Sequence, residues 1–82
     1  MQVRLKLFSI LRQKLGQDEI SLDLQPGTRV EDLLAALAAR QPDIAPLLPN
    51  CLIAINRQYV PRNHVLTAGD EVAVIPPVSG GK

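Results

Sequence analysis

One stretch has the spacing of an amphipathic helix of about three turns, and it is bounded at both ends. Val30, Leu33, Leu34 and Leu37 fall at i, i+3, i+4 and i+7, which puts them on a single helical face. Thr28 followed by Glu31 has the form of a capping box, and Pro42 forces the chain out of helical conformation by Gln41. An apolar face of that length must be buried against another element. The segments on either side decide which.

Before the helix, Gln2 to Phe8 alternates, with Val3, Leu5 and Leu7 on one face and Arg4, Lys6 and Phe8 on the other. That is the pattern of a strand with one buried side. Ser9 to Leu15 reads as a short helix, with Leu11 and Leu15 at i, i+4, Ser9 placed as its cap and Gly16 as its stop. Ile20, Leu22 and Leu24 alternate with Ser21 and Asp23, so a second strand runs back antiparallel to the first. Gln25-Pro26-Gly27 is turn chemistry leading into the main helix.

After the helix, Pro42, Pro46 and Pro49 lie within eight positions. They predict a loop without regular structure over Asp43 to Asn50, pinned to the core by Ile44, Leu47 and Leu48. Leu52 to Asn56 reads as a third strand, and Asn56-Arg57-Gln58 as a tight turn into a brief return through Tyr59 and Val60. Pro61 to Thr67 has no period. Ala68-Gly69-Asp70 turns the chain into a last strand, Glu71 to Ile75, with Val72 and Val74 opposite Ala73 and Ile75. Strand, strand, helix, strand, strand implies one mixed sheet packed on one main helix, an α+β domain spanning residues 1–75.

Composition narrows the function classes. A hydrophobic fraction of 46%, almost wholly aliphatic, suffices for one small core and excludes disorder of the body. A net charge of +1, with Phe8 and Tyr59 the only aromatic side chains, argues against nucleic acid as a partner. A single cysteine allows no internal disulfide, and no apolar run approaches the length of a membrane span. A cytoplasmic protein is expected, with no membrane partner.

The remaining segment, 76–82, is expected as an extended, flexible tail carrying a diglycine. Pro76 and Pro77 fix φ and stiffen its base, whereas Gly80 and Gly81 have no Cβ and make its tip slim. From Pro76 to Gly81 such an arm reaches on the order of 20 Å. A stiff base with a slim tip suits entry into a narrow site on another molecule.

The opening Leu7-Phe8-Ser9 and Leu15-Gly16, the strand Ala54-Ile55-Asn56, and the run Leu66 to Gly81 with its Gly-Asp-Glu-Val and Pro-Pro-Val-Ser-Gly-Gly resemble the small, sulfur-carrying subunits of molybdopterin synthase (MoaD type). The resemblance covers essentially the whole chain and implies a β-grasp, ubiquitin-like fold. It also implies a chemistry. An ATP-dependent, E1-like activating enzyme adenylates the carboxylate of Gly81, sulfur replaces AMP, and the thiocarboxylate donates sulfur to a cyclic pyranopterin precursor held by a large, catalytic subunit. The small chain would be a co-substrate carrier rather than a complete catalyst, with Gly81, beside Gly80, as its reacting acyl-adenylate and thiocarboxylate site and no bound cofactor, in a heterotetramer with a dimer of large subunits. Ubiquitin-like modifiers and the thiamine-pathway sulfur carrier share fold and diglycine, and are the alternative.

In a β-grasp fold the first and last strands lie parallel and adjacent, so Phe8 and Ile75 are expected at one edge, where the tail departs. With Tyr59, and with Pro76, Pro77, Val78 and Ser79 of the tail, they form the expected docking patch for the large subunit. His64 stands alone and no metal site is expected. Cys51 reads as a small apolar residue, Asp70 and Glu71 as turn and solvent positions, and Arg4, Lys6, Arg12 and Lys14 as a positive face for rim contacts. One feature departs from the pattern of the family. Lys82 follows Gly81, and the chemistry needs the Gly81 carboxylate free.

Overall fold

In the computed structural model, which describes residues 1–77, the elements follow in the order β1 (Gln2–Leu7), α1 (Ser9–Leu15), β2 (Glu19–Asp23), α2 (Val30–Arg40), a 3-10 helix (Ala45–Asn50), β3 (Leu52–Ile55), β4 (Gln58–Tyr59) and β5 (Glu71–Ile75). The strands form one sheet in the order β2-β1-β5-β3-β4. β1 and β5 are parallel neighbours at its centre, and the other pairings are antiparallel. This is the expected β-grasp arrangement: one mixed sheet on one main helix.

The alternation seen in the sequence becomes the inner face of the sheet. Val3, Leu5 and Leu7 of β1, Val72 and Val74 of β5, and Ile53 and Ile55 of β3 are buried in one cluster with Val30, Leu33, Leu34 and Leu37 of α2. Leu11 of α1 joins the same cluster. Gly16 ends α1 in the left-handed region at φ 70°, its N–H donating to the Arg12 carbonyl at 2.9 Å, as a glycine stop requires.

Three local expectations are corrected. Ser9 does not cap α1. The extended backbone continues through Phe8, which takes the capping position, and the change of direction falls on Ser9 itself at φ 51°. Nor does Thr28 cap α2. Its hydroxyl donates to the Gln25 carbonyl at 2.6 Å and is thereby committed to the turn. The cap moves one residue on, where the Arg29 N–H donates to the Asp32 carboxylate at 3.0 Å.

Ala45–Asn50 is also regular, although its prolines predict otherwise. A proline removes only its own N–H. Non-proline donors remain: the Leu47 N–H donates to the Ile44 carbonyl at 2.9 Å and the Cys51 N–H to the Leu48 carbonyl at 3.1 Å. Burial of Ile44 and Leu48 ties it to the core as expected.

Candidate functional site: the outer sheet face and the departure of the tail

The side chains that alternate away from the core form a second surface. On β1 and β5 the register sets Arg4 beside Glu71, Lys6 beside Ala73 and Leu7 beside Val74, so Phe8 falls one step on, beside Ile75. Across β5, Ala73 faces Ala54 and Ile75 faces Leu52, and Ala54 in turn faces Tyr59. Two rows thus cross the outer face, Lys6–Ala73–Ala54–Tyr59 and Phe8–Ile75–Leu52. Phe8, Leu52 and Tyr59 stand 40%, 56% and 70% exposed.

These residues make an apolar patch at the end of β5, where the chain continues into the prolines. Pro76 is buried against the domain and Pro77 is exposed. Pro76 thus still packs on the domain, whereas Pro77 stands in solvent. Val78, Ser79, Gly80, Gly81 and Lys82, on which the chemical part of the sequence reading falls, lie outside the described residues. Leu52 is a patch residue the sequence reading missed. The signal was present: with Ile53 and Ile55 turned inward, strand parity turns Leu52 outward.

Toward the other end of the same face the surface is charged. Lys6 Nζ lies 3.0 Å from Glu71 Oε2. The hydrogen bond from Lys6 holds the Glu71 carboxyl below the usual carboxylate range, aided by the charges of Lys6, Arg4 and Arg57 and opposed by partial burial.

Asp70 is not a solvent position. It is 6% exposed, and its carboxylate accepts from the Thr67 N–H at 2.8 Å, the Thr67 hydroxyl at 3.0 Å and the Asn56 amide at 3.0 Å. Asn56 completes the clip by accepting from the Glu71 N–H at 3.1 Å. The Gly-Asp-Glu segment thus fastens the start of β5 to the turn between β3 and β4. That turn holds Asn56 and Arg57 both at positive φ, the geometry of the two-residue hairpins that match strand twist.

Cys51 is buried, and its thiol titrates above the usual range because burial disfavours the thiolate, a shift the nearby Arg62 charge opposes. That environment gives an inert cysteine. Arg62 places one terminal nitrogen 2.9–3.0 Å from the carbonyls of Leu48, Pro49 and Cys51, fixing the end of the 3-10 helix. A shallow cleft of about 160 Å³ beside Phe8 is lined by Lys6, Leu7, Arg12, Asp18 and Glu19. Among the described residues no group of three or more His, Cys, Asp or Glu side chains is placed to hold a metal, and no helix is long and apolar enough to cross a membrane.

The profile of the ThiS family matches residues 5–81, which is nearly the whole chain and includes both glycines of the tail. The chain belongs to the ThiS family. Among similar family members is the molybdopterin synthase sulfur carrier subunit of Chlamydomonas reinhardtii, 40% identical over 99% of this chain and 100% of the relative. Among solved structures, a molybdopterin converting factor subunit 1 from Pyrococcus furiosus superposes with a TM-score of 0.86, at 32% identity over 95% of this chain and 99% of its own. The small archaeal modifier protein 1 of Haloferax volcanii also superposes with a TM-score of 0.86, at 27% identity over 99% of this chain and all of its own. The ThiS-family fold therefore serves relatives described as sulfur carriers and relatives described as modifiers.

Proposed function

We propose that this chain is the sulfur-carrying subunit of a molybdopterin synthase. The observation that carries the reading is the match through Gly81, joined to 40% identity with a molybdopterin synthase sulfur carrier subunit over the full length. The geometry supports it, because the tail leaves from the edge of an exposed apolar patch. Docking of that patch on a large subunit would bring the tip of the tail to a site on the partner.

In this reading an ATP-dependent, E1-like enzyme joins the Gly81 carboxylate to AMP, and a sulfur nucleophile displaces AMP to leave a thiocarboxylate. No side chain on Gly81 or Gly80 hinders attack at that carbonyl or passage through a narrow opening. Pro77 stiffens the base of the arm, and Val78 and Ser79 of the arm bind the partner. Phe8, Tyr59 and Ile75 hold the large subunit, whose own groups position the cyclic pyranopterin precursor and stabilise charge. ATP is consumed by the activating enzyme, and the carrier needs no cofactor of its own. The work is that of a cytoplasmic protein.

A second reading, a ubiquitin-like modifier or general sulfur donor, is favoured by the likeness to the Haloferax volcanii modifier protein. One experiment separates them. A chain ending at Gly81 is incubated with activating enzyme, ATP and a sulfur source, followed by intact mass, where oxygen-to-sulfur exchange adds about 16 Da. It is then mixed with large subunit and precursor. Molybdopterin formation supports the carrier. Attachment to lysines without molybdopterin supports the modifier. Deletion of Gly81, or retention of Lys82, should abolish the mass gain while leaving the circular dichroism spectrum unchanged.

A further inference from the structure

We propose that the outer edge of β2 is a separate docking site, which takes an extended segment of another protein as a further strand, with basic side chains opposite Glu19 and Asp23. β2 ends the sheet beside β1, and among the described residues no strand lies beyond it. Its backbone groups divide by parity. The Leu24 N–H donates to the Met1 carbonyl at 2.7 Å and the Leu7 N–H to the Asp18 carbonyl at 3.0 Å, so Leu22 and Ile20, between them, also turn their N–H and C=O toward β1. Arg4 fixes the same phase. Its N–H donates to the Asp70 carbonyl at 3.0 Å, on the β5 side, which leaves its register partner Ser21 without a bond to β1. The N–H and C=O groups of Glu19, Ser21 and Asp23 therefore point off the edge, and all three residues are exposed. Such a row is a template for strand addition.

The side chains of the edge select the occupant. Charge ordinarily guards an open edge, but here the guard has one sign: Glu19 and Asp23 flank Ser21, with Asp18 just before them. A second copy pairing antiparallel about Ser21 would set Glu19 opposite Asp23 twice, and a parallel copy in register would set each carboxylate against itself. Like charges directly opposite are destabilising, and opposite charges there are favourable, so the edge refuses its own copy and accepts a basic strand. Asp23 holds the Met1 ammonium at 3.2 Å, yet its side chain is 77% exposed, and such a pair contributes little in water. The register refines the pattern. Lys6 lies beside Glu19 but donates to Glu71 on its other side, whereas Arg4 lies beside Ser21, so the occupant is cationic at its ends and uncharged in the middle. Between these positions it faces Ile20, partly buried at the rim of the core, where an aliphatic residue completes the cover. A segment that reads basic, aliphatic, small polar, aliphatic, basic fits the edge. β2 is two strands from β5, and the proposal holds for a sulfur carrier and a modifier alike.

The probe is the blocked peptide Lys-Val-Thr-Val-Lys, which reads the same in either direction, titrated at low salt into the isotope-labelled full chain and followed by amide NMR. The amide protons of Glu19, Ser21 and Asp23 should move downfield and saturate together, and the binding should weaken in high salt. Ser21→Pro removes the middle donor of the edge without touching a bond to β1, and should weaken binding about fivefold or more. Glu19→Lys combined with Asp23→Lys should weaken it about tenfold or more and transfer the preference to Glu-Val-Thr-Val-Glu. Shifts that fail to saturate, or that centre on other residues, overturn the proposal, as does wild-type affinity in Ser21→Pro. Should Ser21→Pro unfold, the charge-reversed chain decides alone, and an unchanged preference overturns the proposal.

Discussion

The two faces of the central strands are built from the same backbone and differ by one residue of phase. On the inner face Val3, Leu5, Leu7, Val72 and Val74 are all but inaccessible to solvent. On the outer face the intervening residues run from the Lys6–Glu71 ion pair at one end to Phe8, Ile75 and Leu52 at the other. The inner set is required by folding, because a small domain has little stability to spare. The apolar end of the outer set is not. Leu52 and Tyr59 stay largely in water and contribute little to folding, and Phe8 and Ile75 are only part-covered, so this end of the face is free to serve a contact with another molecule. An apolar residue is thus informative here only after its face is known.

The largest separation of the two faces should come from paired substitutions. Leu5→Ala, on the inner face, should cost about 2–4 kcal/mol in denaturant unfolding. Phe8→Asp, on the outer face, should cost about 1 kcal/mol or less while abolishing measurable docking on the large subunit. Equal loss of stability in both would show that the outer patch belongs to the core. A smaller effect is expected where the faces are tied together at the start of β5. Asp70→Ala strips partners from the Thr67 N–H and the Asn56 amide and should cost about 1–3 kcal/mol, read as a lower melting temperature with the family tail chemistry retained.

The smallest effect belongs to the charged end. The Glu71 carboxyl is held below its ordinary value by Lys6, so its contribution to stability is present above the unfolded-state value, near pH 4, and is lost as pH falls through the lower folded value. Glu71→Gln should therefore be slightly less stable than wild type at neutral pH and equal to it in acid. A gap of the same size at both pH values would remove the ion pair as its cause.

Much of this was legible from residue order. Period-two alternation gave the strands and the i, i+3, i+4, i+7 spacing gave α2, because burial of one face imposes those periods on any chain that folds this way. Local polar assignments were less legible. Thr28 and Ser9 have capping chemistry, but the Pro26-Gly27 turn uses the Thr28 hydroxyl and the extended path through Phe8 displaces the turn onto Ser9. Asp70 looked like a turn residue and is a buried acceptor, since its partner Asn56 is 14 positions away and reaches it only through the pairing of β3 with β5.

The sequence by itself determined the one-helix, one-sheet architecture, the inward and outward sets of each strand, and a last segment with two prolines at its base and a diglycine before Lys82. Only the tertiary structure decided which outward residues stand together. Phe8, Ile75, Leu52 and Tyr59 are separated by up to 67 positions and become neighbours through the parallel β1–β5 pairing and the β3 register. Parity is a local property that each strand carries alone, whereas register is set between strands by the packing of the whole core.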